Sequence, residues 1–479
     1  KNIAVIGADS SNTIIDGDSS GSVVVFNSGE DSTAVLKNFT IQNGSGSQIN
    51  TDSQFYGGGI LIHNQSSPKL TYLHITNNTA NNKGAGLLLF NHSNPIIDHC
   101  SITYNSCNSV GGGMVCWAES DAIIKNSLIA NNTATEGGGV FIEDRSDPVF
   151  DNTTIQNNTV SGNGGGICLL ANADIPIIKN CSLIDNVASN DGGGIYNAGG
   201  TITIKNSEIQ NNTANRGGAI LTWGNLYIFD SNISLNKTTW FAGGVYAQST
   251  TINIHRTEIY SNEVDGLFGS GASEWFINNT TIANNGTNGI AIADHSNFSI
   301  INSVLFGNPV NAEFGSNETL TISYSLVENG QNSINANDGT LNWLTGNIDA
   351  DPLFADTANG DYTLQSGSPA IDVGNPNAFY NDIDGTRNDM GYTGGNGIFL
   401  SATEFEFGYV AVNDSRDKTL TITNTKDSDI SISGAAFDDA QFSTSTSFPI
   451  TVTSYSAVDI QLTFTPSATG AKTGTLQLS

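Results

Sequence analysis

At 479 residues the chain exceeds one small domain and suits a solenoid followed by a smaller unit. Its 16 Lys+Arg stand against 45 Asp+Glu, for a formal net charge of -29, and Gly numbers 53. Such a surface repels nucleic acid and anionic membranes, and no apolar run approaches the ~18 residues of a spanning helix, so neither nucleic-acid binding nor direct membrane insertion is expected.

The first elements, Asn2-Ile3-Ala4-Val5-Ile6-Gly7 and Thr13-Ile14-Ile15-Asp16-Gly17, are short apolar runs closed by glycine, which read as brief strands ending in turns. They resemble the opening coil of pectin-degrading and related β-helix proteins. No amphipathic cap helix precedes them. An open solenoid end exposes unpaired strands, so residues upstream of Lys1 or another chain are expected to cover it.

A glycine motif then recurs, from Gly57-Gly58-Gly59-Ile60 and Gly84-Ala85-Gly86-Leu87 to Gly217-Gly218-Ala219-Ile220 and Ala242-Gly243-Gly244-Val245, at intervals of 25 to 28 residues. That period is one coil of a β-solenoid. In step with it runs an aliphatic residue, two others and Asn. This places Asn78, Asn105, Asn132, Asn158, Asn186, Asn212, Asn236, Asn262, Asn285 and Asn308 in one column. Stacked about 4.8 Å apart, each amide donates to one neighbour and accepts from the other. Asn also tolerates the left-handed backbone of a tight corner. The glycines suit a different corner, where φ > 0 and close backbone approach exclude a Cβ.

Short β-branched runs such as Pro95-Ile96-Ile97 and Thr201-Ile202-Thr203-Ile204 lie between the two motifs. A column of small residues that includes Cys100, Ser127 and Cys181 is read as inward-facing. Cys100 and Cys181 then lie about 14 Å apart, beyond the ~7 Å between Cα atoms that a disulfide allows. The five Cys, an odd count, leave at least one thiol unpaired. Three short strands per coil, without helical periodicity, predict an all-β chain built on a right-handed parallel β-helix of about 11–12 coils.

A Gly-Gly-Ala-Ile motif paired with aliphatic-x-x-Asn resembles the repeats of the chlamydial polymorphic outer membrane proteins. It also resembles many right-handed β-helix proteins of bacterial and archaeal surfaces. Gly217-Gly218-Ala219-Ile220 matches literally, and the likeness spans residues 30–330. Ile or Leu stands where those repeats usually carry Phe. The resemblance implies the fold and an extracellular or cell-surface location. Its motif residues build corners and imply no activity.

Coils shorten to 23 residues after Asn262, and regularity then stops. Asp349-Ala350-Asp351-Pro352-Leu353-Phe354, Gly367-Ser368-Pro369-Ala370-Ile371-Asp372 and Asp382-Ile383-Asp384-Gly385 are similar to the segment that closes many secreted bacterial β-helices, often called a choice-of-anchor region. It is expected to cap the last coil. Beyond it, alternation appears in Lys418-Thr419-Leu420-Thr421-Ile422-Thr423 and Ile460-Gln461-Leu462-Thr463-Phe464. With Phe407-Gly408 and Phe464-Thr465-Pro466, this resembles an immunoglobulin-like β-sandwich of the ASPM/SPD-2/hydin type. The expected division is 1–345 parallel β-helix, 346–397 closing segment and linker, and 398–479 immunoglobulin-like sandwich.

With the residue after each glycine motif facing inward, the outward positions read Leu61, Leu88, Val115, Phe141, Cys168, Tyr196, Leu221 and Tyr246. A second outward column reads His63, Phe90, Trp117, Glu143, Leu170, Ala198, Trp223 and Gln248. Exposed aromatics rising along one face suit stacking on sugar rings. Phe90, Trp117, Phe141, Glu143, Tyr196, Trp223 and Tyr246 are therefore the expected ligand-binding set, with extracellular polysaccharide or copies of the same chain as partners. A loop, the terminal domain or a neighbouring chain covering this strip is the alternative.

A β-helix lyase needs a base and cations, and a β-helix hydrolase a close cluster of carboxylates. Lys125, Lys179 and Lys205 read as outward but without acids in register, and Glu143-Asp144-Arg145, with Glu119 and Asp121, reads as a solvated corner. No residue is assigned a catalytic role. A secreted structural or adhesive protein that assembles into surface fibres or binds polysaccharide is the leading expectation; a polysaccharide lyase or glycoside hydrolase is the alternative. No cofactor is required. Calcium is the one candidate, at Asp382, Asp384 and Asp389, where Asp382-x-Asp384-Gly385 resembles the start of a calcium loop without the late Glu of an EF-hand.

Overall fold

The structure, a computed structural model of the chain, describes residues 2–49, 53–173, 175–395, 397–400, 405, 407–424, 426, 428–454 and 456–479. It divides into two compact units, Lys1–Gly374 with Met390–Thr393, and Asn375–Asp389 with Gly394–Ser479.

The first unit is the right-handed parallel β-helix. One coil runs through the first sheet (Ile96–Asp98), a corner at His99-Cys100, and the second sheet (Ser101–Thr103). It then turns at Asn105 and the glycine motif to reach the third sheet (Met114–Trp117). The three sheets hold 14, 13 and 13 strands in chain order. A fourth sheet of seven short strands, from Thr79–Ala80 to Lys237–Phe241, lies between the Asn corner and the glycines. Most of its strands are two residues long, too short to leave any periodicity in the sequence.

Alternation places one face of every strand in the lumen. Ile75, Ile102, Ile129 and Ile155 stack in register and are fully buried. Each such side chain contributes about 2 kcal/mol on burial. Each coil contacts its immediate neighbours, so stability accumulates rung by rung. All five cysteines are buried and free. Burial pushes the Cys100 and Cys181 thiols up to about 12, so they behave as small apolar side chains.

Ile348, in the segment expected to cap the last coil, still pairs with Leu326 there, and the chain beyond it runs along the side of the helix. Tyr362 is 1% exposed. Its ring lies 4.6 Å from that of Tyr260, and its hydroxyl accepts a hydrogen bond from Asn284. Ala370 and Met390 pack with Val304 and Leu326, and the Gly391 N–H donates to the Asn302 carbonyl. The reason lies in the second sheet, whose last coils turn apolar Ala283 and Val304 outward and need a cover.

The second unit carries a four-stranded antiparallel sheet in the order Ile398–Leu400, Arg416–Asn424, Ala457–Phe464, Phe442–Thr444. Two strand pairs accompany it, Ile430–Ile432 with Ile450–Val452 and Ala435–Phe437 with Leu476–Leu478. Leu420, Ile422, Ile432, Val452, Ile460 and Leu462 form a core of its own. This is an immunoglobulin-like arrangement.

Candidate functional site

The asparagine column is buried throughout. Asn158 Nδ2 donates to the Ile129 carbonyl and to Asn186 Oδ1, both at 3.0 Å. Asn158 Oδ1 accepts from the N–H and the Nδ2 of Asn132, both at 3.0 Å. The same pattern runs from Asn78 to Asn308. With every amide group used inside the corner, the ladder has no bonding capacity left for a ligand.

The first glycine of each motif, Gly57 to Gly217, has φ between 58° and 70°. Its bare backbone folds over the outward side chain of the third sheet. A Cβ on Gly111 would stand 2.1 Å from Val115 Cγ2, and one on Gly164 2.7 Å from Cys168 Cβ. The left-handed turn and the close approach together require glycine.

That turn settles the state of the outer strip. Leu61, Leu88, Val115, Phe141, Cys168, Tyr196, Leu221 and Tyr246 do face away from the lumen and form a second apolar cluster. They are not exposed, however. Phe141, Tyr196 and Tyr246 are 2%, 8% and 6% accessible. The cover is the chain's own glycine turn together with the residues just before it, which pair in the ladder Tyr56, Lys83, Val110 and Glu136. Phe90, Trp117, Glu143 and Trp223 are half-buried and remain at the surface.

The strip contains two aromatic clusters. In the lower one Trp117 stacks on Phe90 at 4.2 Å and faces Tyr56 at 6.3 Å. The Lys83 ammonium lies 4.8 Å from the Trp117 ring and 5.5 Å from that of Phe141, and pairs with Glu143. In the upper one Trp223 meets Tyr196 edge-on at 5.5 Å and donates through Nε1 to Gln248 Oε1 at 3.0 Å. Arg216 binds Asp191 through two contacts of 2.9 and 2.7 Å and stands 5.8 Å from the Tyr246 ring. Burial, with Asp191 and Glu136 close by, pushes the Tyr196 hydroxyl up to about 12. Trp240 and Phe241, 69% and 40% exposed, lie beside this cluster, with Phe241 4.9 Å from Phe268. Sequence reasoning gives Lys83, Asp191 and Arg216 no role. Their signal is the position immediately before a glycine motif.

Against the expectation that Lys125, Lys179 and Lys205 lack acids in register, Asp98, Lys125, Asp151, Lys179 and Lys205 of the first sheet occupy one ladder. Lys179 lies 3.2 Å from Asp151, and Lys125 3.9 Å from Asp98. Register counted through coils of unequal length hid these pairs. Glu119, in the charged patch one coil below Asp144, pairs with Arg145 and lies 3.3 Å from His92.

Among the described residues no group of three or more His, Cys, Asp or Glu is placed to hold a metal ion. Asp382 accepts the backbone N–H groups of Asp389 and Gly395, and Asp384 accepts the N–H and hydroxyl of Thr386. Burial foremost, with Asp389 and Asp384 nearby, pushes the Asp382 carboxyl up to about 6. These carboxylates serve the turn that carries them.

The winding, the buried ladder and the covered outer strip define a right-handed parallel β-helix protein with an appended immunoglobulin-like unit. The chain belongs to the right handed beta helix region family, whose model matches residues 22–200 and 151–348. Residues 398–479 match the model described as Abnormal spindle-like microcephaly-assoc'd, ASPM-SPD-2-Hydin. No curated protein matches the chain. Among solved structures, the crystal structure of pectate lyase Pel9A is similar at a TM-score of 0.44 and 14% identity, covering 78% of this chain and 97% of that one.

Proposed function

We propose that this is an extracellular or cell-surface β-helix with a structural and adhesive role. In this reading it holds polysaccharide against the outer strip of its third sheet, and a second copy of the chain is the other partner the same strip would accept. The observation that carries the reading is the strip itself. Phe90, Trp117, Leu170, Ala198 and Trp223 form a half-buried, mainly apolar column, interrupted by the Lys83-paired Glu143, beside exposed Trp240 and Phe241. An apolar outer surface of that length marks a binding face. The cations beside it, Lys83 and Arg216, are held by Glu143 and Asp191. Such pairing suits orientation of a ligand more than proton abstraction. The repeat likeness to surface β-helices, including the chlamydial polymorphic outer membrane proteins, supports the location. The likeness of the closing segment to choice-of-anchor regions supports it too. Retention of the full chain on polysaccharide arrays tests the reading. Trp117→Ala with Trp223→Ala is expected to abolish retention on at least one polysaccharide that the wild type holds, and retention unchanged on every one would end the idea.

A further inference from the structure

The corner between the first and second sheets carries a feature that neither the coil geometry nor the outer strip explains. We propose that the open groove at this corner, walled by Tyr72 and His99, is a second binding site that takes a neutral polysaccharide chain. It is separate from the aromatic strip and does not depend on it.

The backbone gives the first reason. One position of this corner is left-handed in successive coils, with φ between 43° and 61° at Asn38, Tyr72, His99, Asn126, Asn152, Asn180 and Asn206. Asn tolerates that conformation, and His enters it more readily than most residues, while bulky Tyr does so at a cost. The asparagines also gain from it. Asn152 donates to Asn126 Oδ1 at 2.8 Å, and Asn206 to Asn180 Oδ1 at 2.7 Å. Tyr72 and His99 forgo this ladder. They stack on each other at 4.8 Å and stay about half exposed, 46% for Tyr72 and 45% for the His99 side chain. A strained, exposed Tyr stacked on an exposed His, where most coils place Asn, points to a ligand.

The lining gives the second reason. The groove holds about 760 Å³ and is walled by Tyr72, His74, His99, Ser101, Asn126 and Asn152, with Ser10 and Ser11 of the first coil beside it. No Asp, Glu, Lys or Arg lines it, although the chain carries 45 acids. Its polar groups are hydroxyls, amides and imidazoles, most of which can both donate and accept, set among apolar surface from Leu73, Cys100 and Leu128. Sugar hydroxyls have the same dual character. The Nδ1 of His99 is held by Asp98 Oδ1 at 2.7 Å, which leaves Nε2 for a ligand. His74 shares a 3.1 Å hydrogen bond with Thr103 Oγ1, and burial lowers its pKa, so its ring is neutral at pH 7.

Other occupants fit less well. A polyuronate or a phosphate polymer would find no cation among the lining residues; the Lys37 ammonium lies 5.2 Å from the centre of the Tyr72 ring. A peptide strand would need a free sheet edge, whereas the strands here pair on both sides, as Ser101–Thr103 does with the strands before and after it. A neutral glycan needs neither.

Affinity electrophoresis of the full chain in gels containing xyloglucan, galactomannan, mixed-linkage β-glucan or polygalacturonate tests the proposal. Tyr72→Asn with His99→Asn restores the residue used by neighbouring coils, so folding is retained and is checked by thermal unfolding. The expected result is retardation by at least one neutral polymer, a loss of affinity of about tenfold in the Asn double variant, and no loss in Trp117→Ala/Trp223→Ala. Three results would overturn it: no retardation by any neutral polymer, equal retardation of wild type and the Asn double variant, or retardation by polygalacturonate alone.

Discussion

Two corners of the same coil use the same left-handed backbone and treat sequence very differently. At the inner corner the left-handed residue varies, as Asn77, Tyr104, Asn131, Asp185 and Leu235, yet the ladder residue after it is Asn in every coil from 78 to 308. At the outer corner the left-handed position is filled by Asn, Tyr, His, Asp230 and Arg256 in turn. Backbone geometry alone therefore does not demand Asn. Burial does. A ladder amide is dry and must satisfy both its own groups and its neighbours', whereas an outer side chain bonds to water wherever it finds no protein partner. Uniformity marks architecture in this molecule, and departure from it marks surface free to acquire a role.

The sharpest way to break that comparison is to remove one rung from the inner corner. Asn158→Ala leaves the Asn132 donors and the Ile129 carbonyl without partners in a dry site. It is expected to destabilise the β-helix by about 4 kcal/mol, read as a lowered urea midpoint. A smaller effect comes from the lateral strap. Burial raises the Glu258 carboxyl to about 7; hydrogen bonds from Asn232 and Tyr392 oppose the shift, and Asp361 adds to it. Because its folded pKa is raised, the fold favours the protonated form. The stabilisation is therefore full below about 4.5 and is lost as pH climbs through 7. Hydrogen exchange in 354–364, corrected for intrinsic rates, should show weakening on the order of 2 kcal/mol over that window. Glu258→Gln should flatten the dependence, and a strap equally protected at both ends of the window would contradict it.

The outer corner should yield less. Asn152→Ala removes one exposed hydrogen bond, to Asn126, and is expected to cost about 1 kcal/mol. A cost matching that of Asn158→Ala would erase the distinction between the corners. Smallest of all is Lys179→Ala. Its half-exposed pair with Asp151 is worth no more than about 0.5 kcal/mol in thermal unfolding.

The inner corner was legible in the sequence because only Asn satisfies it, so Asn78 to Asn308 recur without substitution. The glycine turn was legible for a similar reason. What that turn covers was not. Ile60, Leu61 and Ile62 are all apolar, although Leu61 points outward and the other two inward, so alternation could not separate lumen from surface. Phe141 and Tyr196 look exposed in the sequence because the backbone of Gly137 and Gly192 leaves no side chain to suggest a cover. Asp98 and Asp151 were missed as partners of Lys125 and Lys179 because coil lengths differ. Tyr72 and His99 did leave a signal, since each stands directly before the small-residue column where most coils place Asn. The lateral course of the closing segment left none, because its contacts with Tyr260 and Val304 span about a hundred residues or less of chain with no shared motif.

In this molecule corners build and surfaces bind. The most direct test of that division is retention on an array of immobilised polysaccharides, measured for wild type and for Trp117→Ala/Trp223→Ala at a temperature where both are folded by circular dichroism. The prediction is that retention on at least one polysaccharide is lost while the β-sheet signal is kept. Retention equal to wild type on every polysaccharide would contradict it.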